Sequence, residues 1–304
     1  MLNAKTAPET VDEKLNRLRF ELKLYFQEQL PLLFPEIHEE VSYMVAGGKF
    51  LRGALTLFSA DIAGCDKARA LPIALAVELM HASSLVYDDI SDYAESRRGQ
   101  PSFWKKYGLD EAVIVPHVVM ATAISLIGQY GGSEAVIASM SAWRGTAIGQ
   151  LWDLRAAKKS MRVAASYREV ISKKTGEVFG AACILPLYAA GRRDLVDVFK
   201  NYGVTLGAAY QVIDDMSDLS RGVKDSGSAL LLLEESQGDY LRYGFHLLNQ
   251  LVTELFQLSG SLPVECGLLA AEILRTFAEE AGGEVREHVY RVLGGFARSP
   301  RAPY

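Results

Sequence analysis

The chain has 304 residues, a length within reach of one large helical domain. Its residues are 49% hydrophobic and 23% charged, so it can build a sizeable core. The net charge of -5 at pH 7 gives no reason to expect nucleic acid as a partner, because that normally calls for a basic face. The 3 cysteines are odd in number and widely spaced, which argues against a disulfide framework or a zinc site.

The first predicted element is an amphipathic helix in which Leu15, Leu18 and Leu22 recur at helical steps. Pro31 and Pro35 are expected to break the chain after it. Further helices are predicted at about 50–63, 71–93, 110–130, 133–157, 166–190 and 195–219, with more helical stretches from 230 to 293.

The longest apolar run, Ala112–Gly128, resembles a membrane span but is short for one and includes Pro116 and His117. We interpret it as a helix buried on all sides within a large bundle. Residues 1–16 are polar and charged, unlike a secretory signal. The sequence therefore predicts a cytoplasmic protein without an integral membrane segment.

No segment shows the alternating pattern of a strand, and no linker or change in composition divides the chain. The expected fold class is all-α. We predict a large antiparallel helical bundle that forms a single domain over residues 1–304.

Two acidic clusters, Asp88–Asp92 and Asp214–Asp218, carry the main chemical signal. In a helix the first and last aspartates of each cluster share one face, which is unfavourable unless a cation lies between them. Magnesium suits this setting, because it takes one or two carboxylates together with water and substrate phosphates. The clusters could instead be solvated helix ends, but apolar residues at 85–87 and 210–213 place both beside a core.

Basic residues lie close to glycine turns and to the acidic clusters, where a diphosphate would need them. Any one of them alone is more often a surface charge. The candidates are Lys49 and Arg52 after Gly47–Gly48, Arg97 and Arg98 after the first cluster, Lys173 and Lys174 at mid-chain, and Lys224 after the second cluster.

Together these motifs resemble the trans-isoprenyl diphosphate synthases, a family that includes farnesyl and geranylgeranyl diphosphate synthases. The resemblance covers about residues 47–224 and implies a helical bundle of the isoprenoid synthase type. The motifs occur in the family's order: Gly47–Arg52, the first acidic cluster with Arg97–Gly99, Gly149–Gln150 with Asp153, Lys174–Thr175, and Tyr210–Gln211 with the second cluster.

The resemblance implies that three magnesium ions bind the allylic diphosphate. Their ligands would be Asp88, Asp92 and Asp214, supported directly or through water by Asp89, Asp215 and Asp218. The same diphosphate would be bound by Arg97 and Lys174, with Lys224 as a further contact.

The resemblance also implies a second substrate, isopentenyl diphosphate, held by Lys49, Arg52 and Arg98. Thr175 and Gln211 would face the reacting carbons and act with Lys174 as the catalytic group. The allylic bond ionises, isopentenyl diphosphate attacks the cation, and a proton leaves, so no side-chain base is required and no histidine is singled out.

Three positions depart from the family pattern. Trp104 stands where the family has a histidine on the isopentenyl side, and an indole cannot carry a positive charge. Pro116 and His117 replace a Gly-Asp pair, and no second Gly-Lys follows Lys224.

These departures leave three hypotheses. The first is a divergent synthase, acting as a homodimer or within a hetero-oligomer. The second is a terpene cyclase of related fold, against which the retained Lys49, Arg52 and Arg98 argue. The third is a non-catalytic partner subunit, against which the complete acidic clusters argue.

Product length is expected to depend on small residues before the first cluster, because the product would run towards the N-terminus of that helix. Ser83 and Ser84 are small, and Met80 and Val77 lie deeper on the same face. We predict a floor near Met80 and a product of geranylgeranyl length or one unit longer. Ser83→Phe is expected to shorten it, while the allylic starter is left open. Alternatively, the two serines merely hydrogen-bond to backbone carbonyls.

Overall fold

The computed structural model describes residues 9–158, 165–223 and 226–297, and most of these residues lie in α-helices. The all-α prediction is confirmed. Lys224 lies outside the described residues, so its predicted substrate contact stays a prediction.

The first half of the chain forms helices α1 to α7 and one small hairpin. Strands β1 (Ser96–Arg97) and β2 (Gln100–Pro101) of the hairpin pair antiparallel, with Ser96 opposite Pro101. The helices are α1 (Val11–Leu33), α2 (His38–Val45), α3 (Leu51–Ala63), α4 (Lys67–Ser91), α5 (Phe103–Tyr107), α6 (Leu109–Gly131) and α7 (Ser133–Lys158).

The second half continues the helical pattern. A π-helical turn at Ser172–Gly176 joins α8 to α9, and a 3₁₀ turn at Arg193–Leu195 precedes α10. The helices are α8 (Tyr167–Ile171), α9 (Glu177–Ala189), α10 (Val196–Ser220), α11 (Gly227–Glu235), α12 (Tyr240–Ser259), α13 (Val264–Ala281) and α14 (Gly283–Ala297).

Local sequence signals determine how α3 connects to α4. Helix α3 ends at Gly64, whose φ of 68° is a left-handed conformation that glycine adopts without strain. Asp66 then caps α4 by accepting a hydrogen bond from the backbone N–H of Ala68. This short connection makes α3 and α4 antiparallel neighbours.

In the core of the bundle, α4 and α10 each pack against several other helices. Helix α4 packs against α3, α6 and α9, and α10 packs against α9 and α12. Phe58, Leu75, Phe179 and Leu206 are at most 1% exposed in this core. Burial on several sides fixes the C-terminal ends of α4 and α10, where the acidic clusters lie.

The expected break at Pro31 is wrong, because α1 continues through this proline to Leu33. Proline is costly inside a helix. Here it falls in the last turn, next to Leu30 and Phe34, which are 5% and 1% exposed. Burial of these neighbours holds the turn helical despite the lost hydrogen bond.

The prediction that the Ala112–Gly128 segment is buried on all sides is also wrong. This segment lies in α6, and Val113, Ile114 and Val118 on it are 40%, 61% and 45% exposed. In the described residues, α4 and α6 are long and apolar enough to cross a membrane by length and composition. The apolar window of α4 is 72% buried inside the protein, whereas that of α6 is 33% buried.

Candidate active site

Both acidic clusters line one cavity of about 1500 Å³, counting the space at its open mouth. It lies among α3, α4, α7, α9, α10 and α13. Five of the six predicted metal-binding aspartates line it: Asp88, Asp92, Asp214, Asp215 and Asp218.

Asp89 is the sixth, and its carboxylate is paired with Arg97. Both of its carboxylate oxygens lie 2.8 Å from Nε of Arg97, and its Oδ1 lies 2.7 Å from Nη2 of that arginine. The carboxylate is buried, so this charge-assisted pair fixes the guanidinium. Arg97 itself lines the cavity.

The carboxylates of the two clusters are crowded and partly desolvated. Burial raises the pKa of Asp88 to about 6, and Asp92 adds to the increase. The pKa of Asp214 also rises to about 6, through burial and then through Asp218. Such pKa increases follow because burial and crowding of the carboxylates disfavour the fully charged state, which a bound cation would stabilise.

Lys174 supplies the opposite charge between the two clusters. Its Nζ lies 3.0 Å from Oδ2 of Asp153, whose Oδ1 accepts a hydrogen bond of 2.7 Å from the backbone N–H of Ser228. Burial alone would lower the pKa of Lys174, but Asp153 and Asp88 raise it above its ordinary value. The ammonium group is therefore charged and held in place.

The π-helical turn sets the position of Lys174. π-helical turns within α-helices are frequent at functional sites. Gly149 on α7 is packed so closely against this turn that a Cβ on it would come within 2.3 Å of the Lys174 backbone nitrogen. The absence of a side chain at Gly149 is therefore what lets α7 approach the turn.

Thr175 and Gln211 form a short hydrogen-bonded chain that ends on the second cluster. Thr175 Oγ1 donates to Gln211 Oε1 at 2.7 Å, and Gln211 Nε2 donates to Asp215 Oδ1 at 3.1 Å. Asp215 also accepts from the Tyr167 hydroxyl at 2.8 Å and the Ser228 hydroxyl at 3.0 Å. Asp215, which is 1% exposed, thus fixes the amide that faces the cavity.

Lys49, Arg52 and Arg98 line the same cavity. Arg52 Nη1 lies 2.9 Å from His81 Nε2. Since a guanidinium can only donate, the imidazole accepts and is neutral. Burial, followed by the charge of Arg52, lowers the pKa of His81 well below its ordinary value.

Trp104 is not among the residues that line the cavity. Its indole N–H donates to the backbone carbonyl of Ala94 at 2.8 Å, which braces the segment after α4. The structure therefore does not bring Trp104 together with the basic residues on the cavity.

Some residues that line the cavity have no predicted role, although Gln150 belongs to a predicted motif. Glu78, 7% exposed, accepts a hydrogen bond of 2.7 Å from the backbone N–H of Gly53, and a lone acid within an apolar helix could have signalled it. Gln150 lines the cavity, and neither atom of its amide has a hydrogen-bond partner within the part of the chain that the structure describes. Phe277 on α13 also lines the cavity, and no sequence motif marks it.

Comparison with known proteins assigns the chain to a family. A sequence model described as polyprenyl synthetase matches residues 34–230, more than half of the chain. The chain belongs to the polyprenyl synthetase family. The resemblance inferred from the motifs is confirmed.

The match to this polyprenyl synthetase family member covers a different share of each relative. A hexaprenyl pyrophosphate synthase from Saccharolobus solfataricus is 33% identical over 177 residues, which are 58% of this chain and 60% of that protein. A nonaprenyl diphosphate synthase from Mycobacterium tuberculosis is 31% identical over 258 residues, or 84% of this chain and 72% of that protein. The match thus spans less than two thirds of the first relative's length.

A solved structure shares the fold. It is a polyprenyl synthase from Caulobacter crescentus CB15, complexed with calcium and isoprenyl diphosphate. It is 23% identical, has a TM-score of 0.65, and the match covers 98% of this chain and 100% of that one. The all-α, isoprenoid-synthase type of bundle is therefore confirmed.

This polyprenyl synthetase family member has a second, apolar recess beyond the main cavity, with about 380 Å³ of space when its opening to solvent is counted. His81, Ser84 and Thr146 line both spaces, so they mark the junction between them. Met80 lines the recess, as predicted for a chain-length residue. Ser83 lines neither space: it is 0% exposed, and its hydroxyl donates to the Leu79 carbonyl at 3.0 Å.

Proposed function

We propose that this protein is a magnesium-dependent trans-prenyltransferase that condenses an allylic diphosphate with isopentenyl diphosphate. The observation that carries the proposal is one cavity lined by two aspartate clusters and by basic residues, which are Lys49, Arg52, Arg97, Arg98 and Lys174. A cyclase needs only one diphosphate site. The group formed by Lys49, Arg52 and Arg98 supports a second one.

The aspartates fit magnesium. In the described residues, no group of three His, Cys, Asp or Glu side chains could hold a metal ion without further ligands. Magnesium does not require such a cage, because substrate phosphates and water complete its coordination. Asp88, Asp92 and Asp214 would hold the ions, with Asp215 and Asp218 in support. Bound magnesium would neutralise the leaving diphosphate.

On the allylic side, the chain's own cations bind and orient the diphosphate. Lys174 is fixed by Asp153, and Arg97 is fixed by Asp89. Both cations are therefore directed before the substrate arrives, which lowers the cost of organising the site. Their role is to stabilise charge as the carbon–oxygen bond breaks.

The reacting carbons would lie near the Thr175–Gln211 pair, whose dipoles face the cavity. His81 is the histidine on this cavity, and its Nε2 lone pair is engaged by Arg52. It is therefore not free to take a proton from the substrate through that atom. Proton loss to the departing diphosphate is the route that these contacts favour.

The apolar recess would receive the growing chain. Met80 lies eight residues before Asp88, a rise of about 12 Å along an α-helix. The recess continues past Met80 to Val77, with Trp143 of α7 and Leu185 of α9 on other sides. We propose that Met80 and Val77 form the floor and limit the product to geranylgeranyl length or one unit longer.

The exposed apolar strip on α6 supports assembly. Val113, Ile114 and Val118 are uncovered in the single chain, which favours pairing with a second copy. We propose a cytoplasmic homodimer with this strip at its interface. A hetero-oligomer would use the same surface.

The proposal is tested by incubating the protein with magnesium, isopentenyl diphosphate and one allylic starter at a time. Mass analysis should detect elongated diphosphates that stop at the geranylgeranyl length or one unit beyond. A cyclic hydrocarbon formed from the allylic substrate alone would identify a cyclase. Absence of any product with every starter would support the partner-subunit hypothesis.

A further inference from the structure

Lys49 differs from the two arginines on the second-substrate side because its charge is already paired with a carboxylate. Its Nζ lies 2.5 and 2.6 Å from the two Oε atoms of Glu280. The arginines instead contact neutral acceptors, an imidazole and a backbone carbonyl. An anion of the protein itself therefore lies where Lys49 would meet an anionic ligand.

The pairing is part of a larger contact between the cavity and α13. Lys49 Nζ lies 5.1 Å from the centroid of the Phe277 ring, and that ring lies 4.3 Å from the ring of Tyr210. Phe277 and Tyr210 both line the cavity. Glu280 follows Phe277 by one helical turn, so the packing of Phe277 sets its position.

The ion pair between Lys49 and Glu280 is weak enough for a ligand to replace Glu280. The side chains of Lys49 and Glu280 are 54% and 52% exposed, so water screens their attraction. A diphosphate carries more negative charge than one carboxylate and presents several acceptor oxygens. It can therefore displace Glu280 from the ammonium group, whereas a singly charged anion competes less well.

We propose that Glu280 is a built-in competitor for Lys49 that weakens and selects binding of the second diphosphate. This inference rests on the proposed function of Lys49 in binding isopentenyl diphosphate. Glu280 contacts Lys49 and acts through it, so it is a positioning residue. Binding of the diphosphate frees Lys49 from α13, and its departure restores the pair.

The test is Glu280→Gln, which removes the charge and keeps the shape. The Kd of isopentenyl diphosphate, measured by titration calorimetry without an allylic substrate, should fall about two- to fivefold, the range set by an exposed ion pair. The KM for isopentenyl diphosphate should fall equally, while kcat and the KM for the allylic diphosphate stay unchanged. An unchanged Kd would overturn the inference.

Glu279→Gln is the matched control. It makes the same chemical change on the neighbouring residue, whose carboxylate accepts from the Tyr290 hydroxyl at 2.7 Å. Its Kd should equal that of the parent protein. An equal decrease in both variants would show a general charge effect and overturn the specific pairing.

A Lys49→Gln background gives a second test. Glu280→Gln should lower the Kd only when Lys49 is present, and an equal decrease in its absence would overturn the inference. The binding readout does not require turnover. If Glu280→Gln binds isopentenyl diphosphate more tightly but no variant turns over, the proposed function is rejected and the role of Glu280 as a competitor stands. A parent protein that does not bind isopentenyl diphosphate would overturn both.

Discussion

The two ends of the cavity are built by different means. Around Lys174, Asp153 and Asp215 are at most 2% exposed, and each is hydrogen-bonded to residues on other helices. At the other end, Lys49 is about half exposed, and its ion-pair partner is the equally exposed Glu280. Under the proposed function, the end where a bond would break is preorganised, and the end that would receive the second substrate is left adjustable.

The largest effect is expected from removing a carboxylate at the rigid end. Asp88→Ala or Asp214→Ala should lower kcat by about a thousandfold or more, because the leaving diphosphate loses its cation site. Steady-state rates with magnesium check this, with Glu28→Ala on the exposed face of α1 as the control. Turnover at the parent rate in either aspartate variant would reject the metal-binding assignment.

A smaller effect is expected at the hydrogen-bonded pair beside the reacting carbons. Thr175→Val removes the donor to Gln211 and keeps the shape. We expect kcat to fall about ten- to a hundredfold with little change in either KM, because the loss affects the transition state. A rise in KM at constant kcat would instead place Thr175 in substrate binding.

The apolar recess should respond by a change of product and not of rate. Ser84→Phe fills the junction with the main cavity and should shorten the product by at least one isoprene unit, as read by mass spectrometry. Met80→Ala deepens the recess and should lengthen it. Ser83→Phe should cost about 1–3 kcal/mol of unfolding free energy through overpacking, because Ser83 lines neither space. A shortened product from a stably folded Ser83→Phe variant would contradict this assignment.

The smallest effect is expected at Trp104. Trp104→Phe removes the N–H that bonds to the Ala94 carbonyl and should lower the unfolding free energy by about 1 kcal/mol. The KM for isopentenyl diphosphate should stay within about twofold of the parent value, the scale of a substitution that touches no ligand. Thermal unfolding measures the loss of stability, and steady-state kinetics measures the KM. A large rise in KM for isopentenyl diphosphate would show that Trp104 takes part in substrate binding.

Local patterns predicted the rigid end better than the adjustable one. Helical spacing placed Asp88 with Asp92 and Asp214 with Asp218, because this rule acts over a single turn. The structure brings both pairs to one cavity. Phe277 and Glu280 could not be found this way. They reach Lys49 through the packing of α13, more than two hundred positions away along the chain, and that packing has no local signature.

The error at Pro31 has a local cause. Pro31 was expected to end α1, but burial of its neighbours outweighed the lost hydrogen bond. Ser83 was expected on the product path because it is small. Its hydroxyl is used within the helix and its side chain is fully buried, so size alone did not reveal its direction.

The π-helical turn at Ser172–Gly176 makes the site sensitive to the number of residues and not only to their chemistry. One extra residue per turn rotates everything that follows by roughly 100°, because an α-helix turns once in about 3.6 residues. Deleting one residue would give a more regular helix from α8 into α9. It would also change the orientation of Lys174 and Thr175 relative to α9. The deletion that makes the helix regular would therefore disrupt the site.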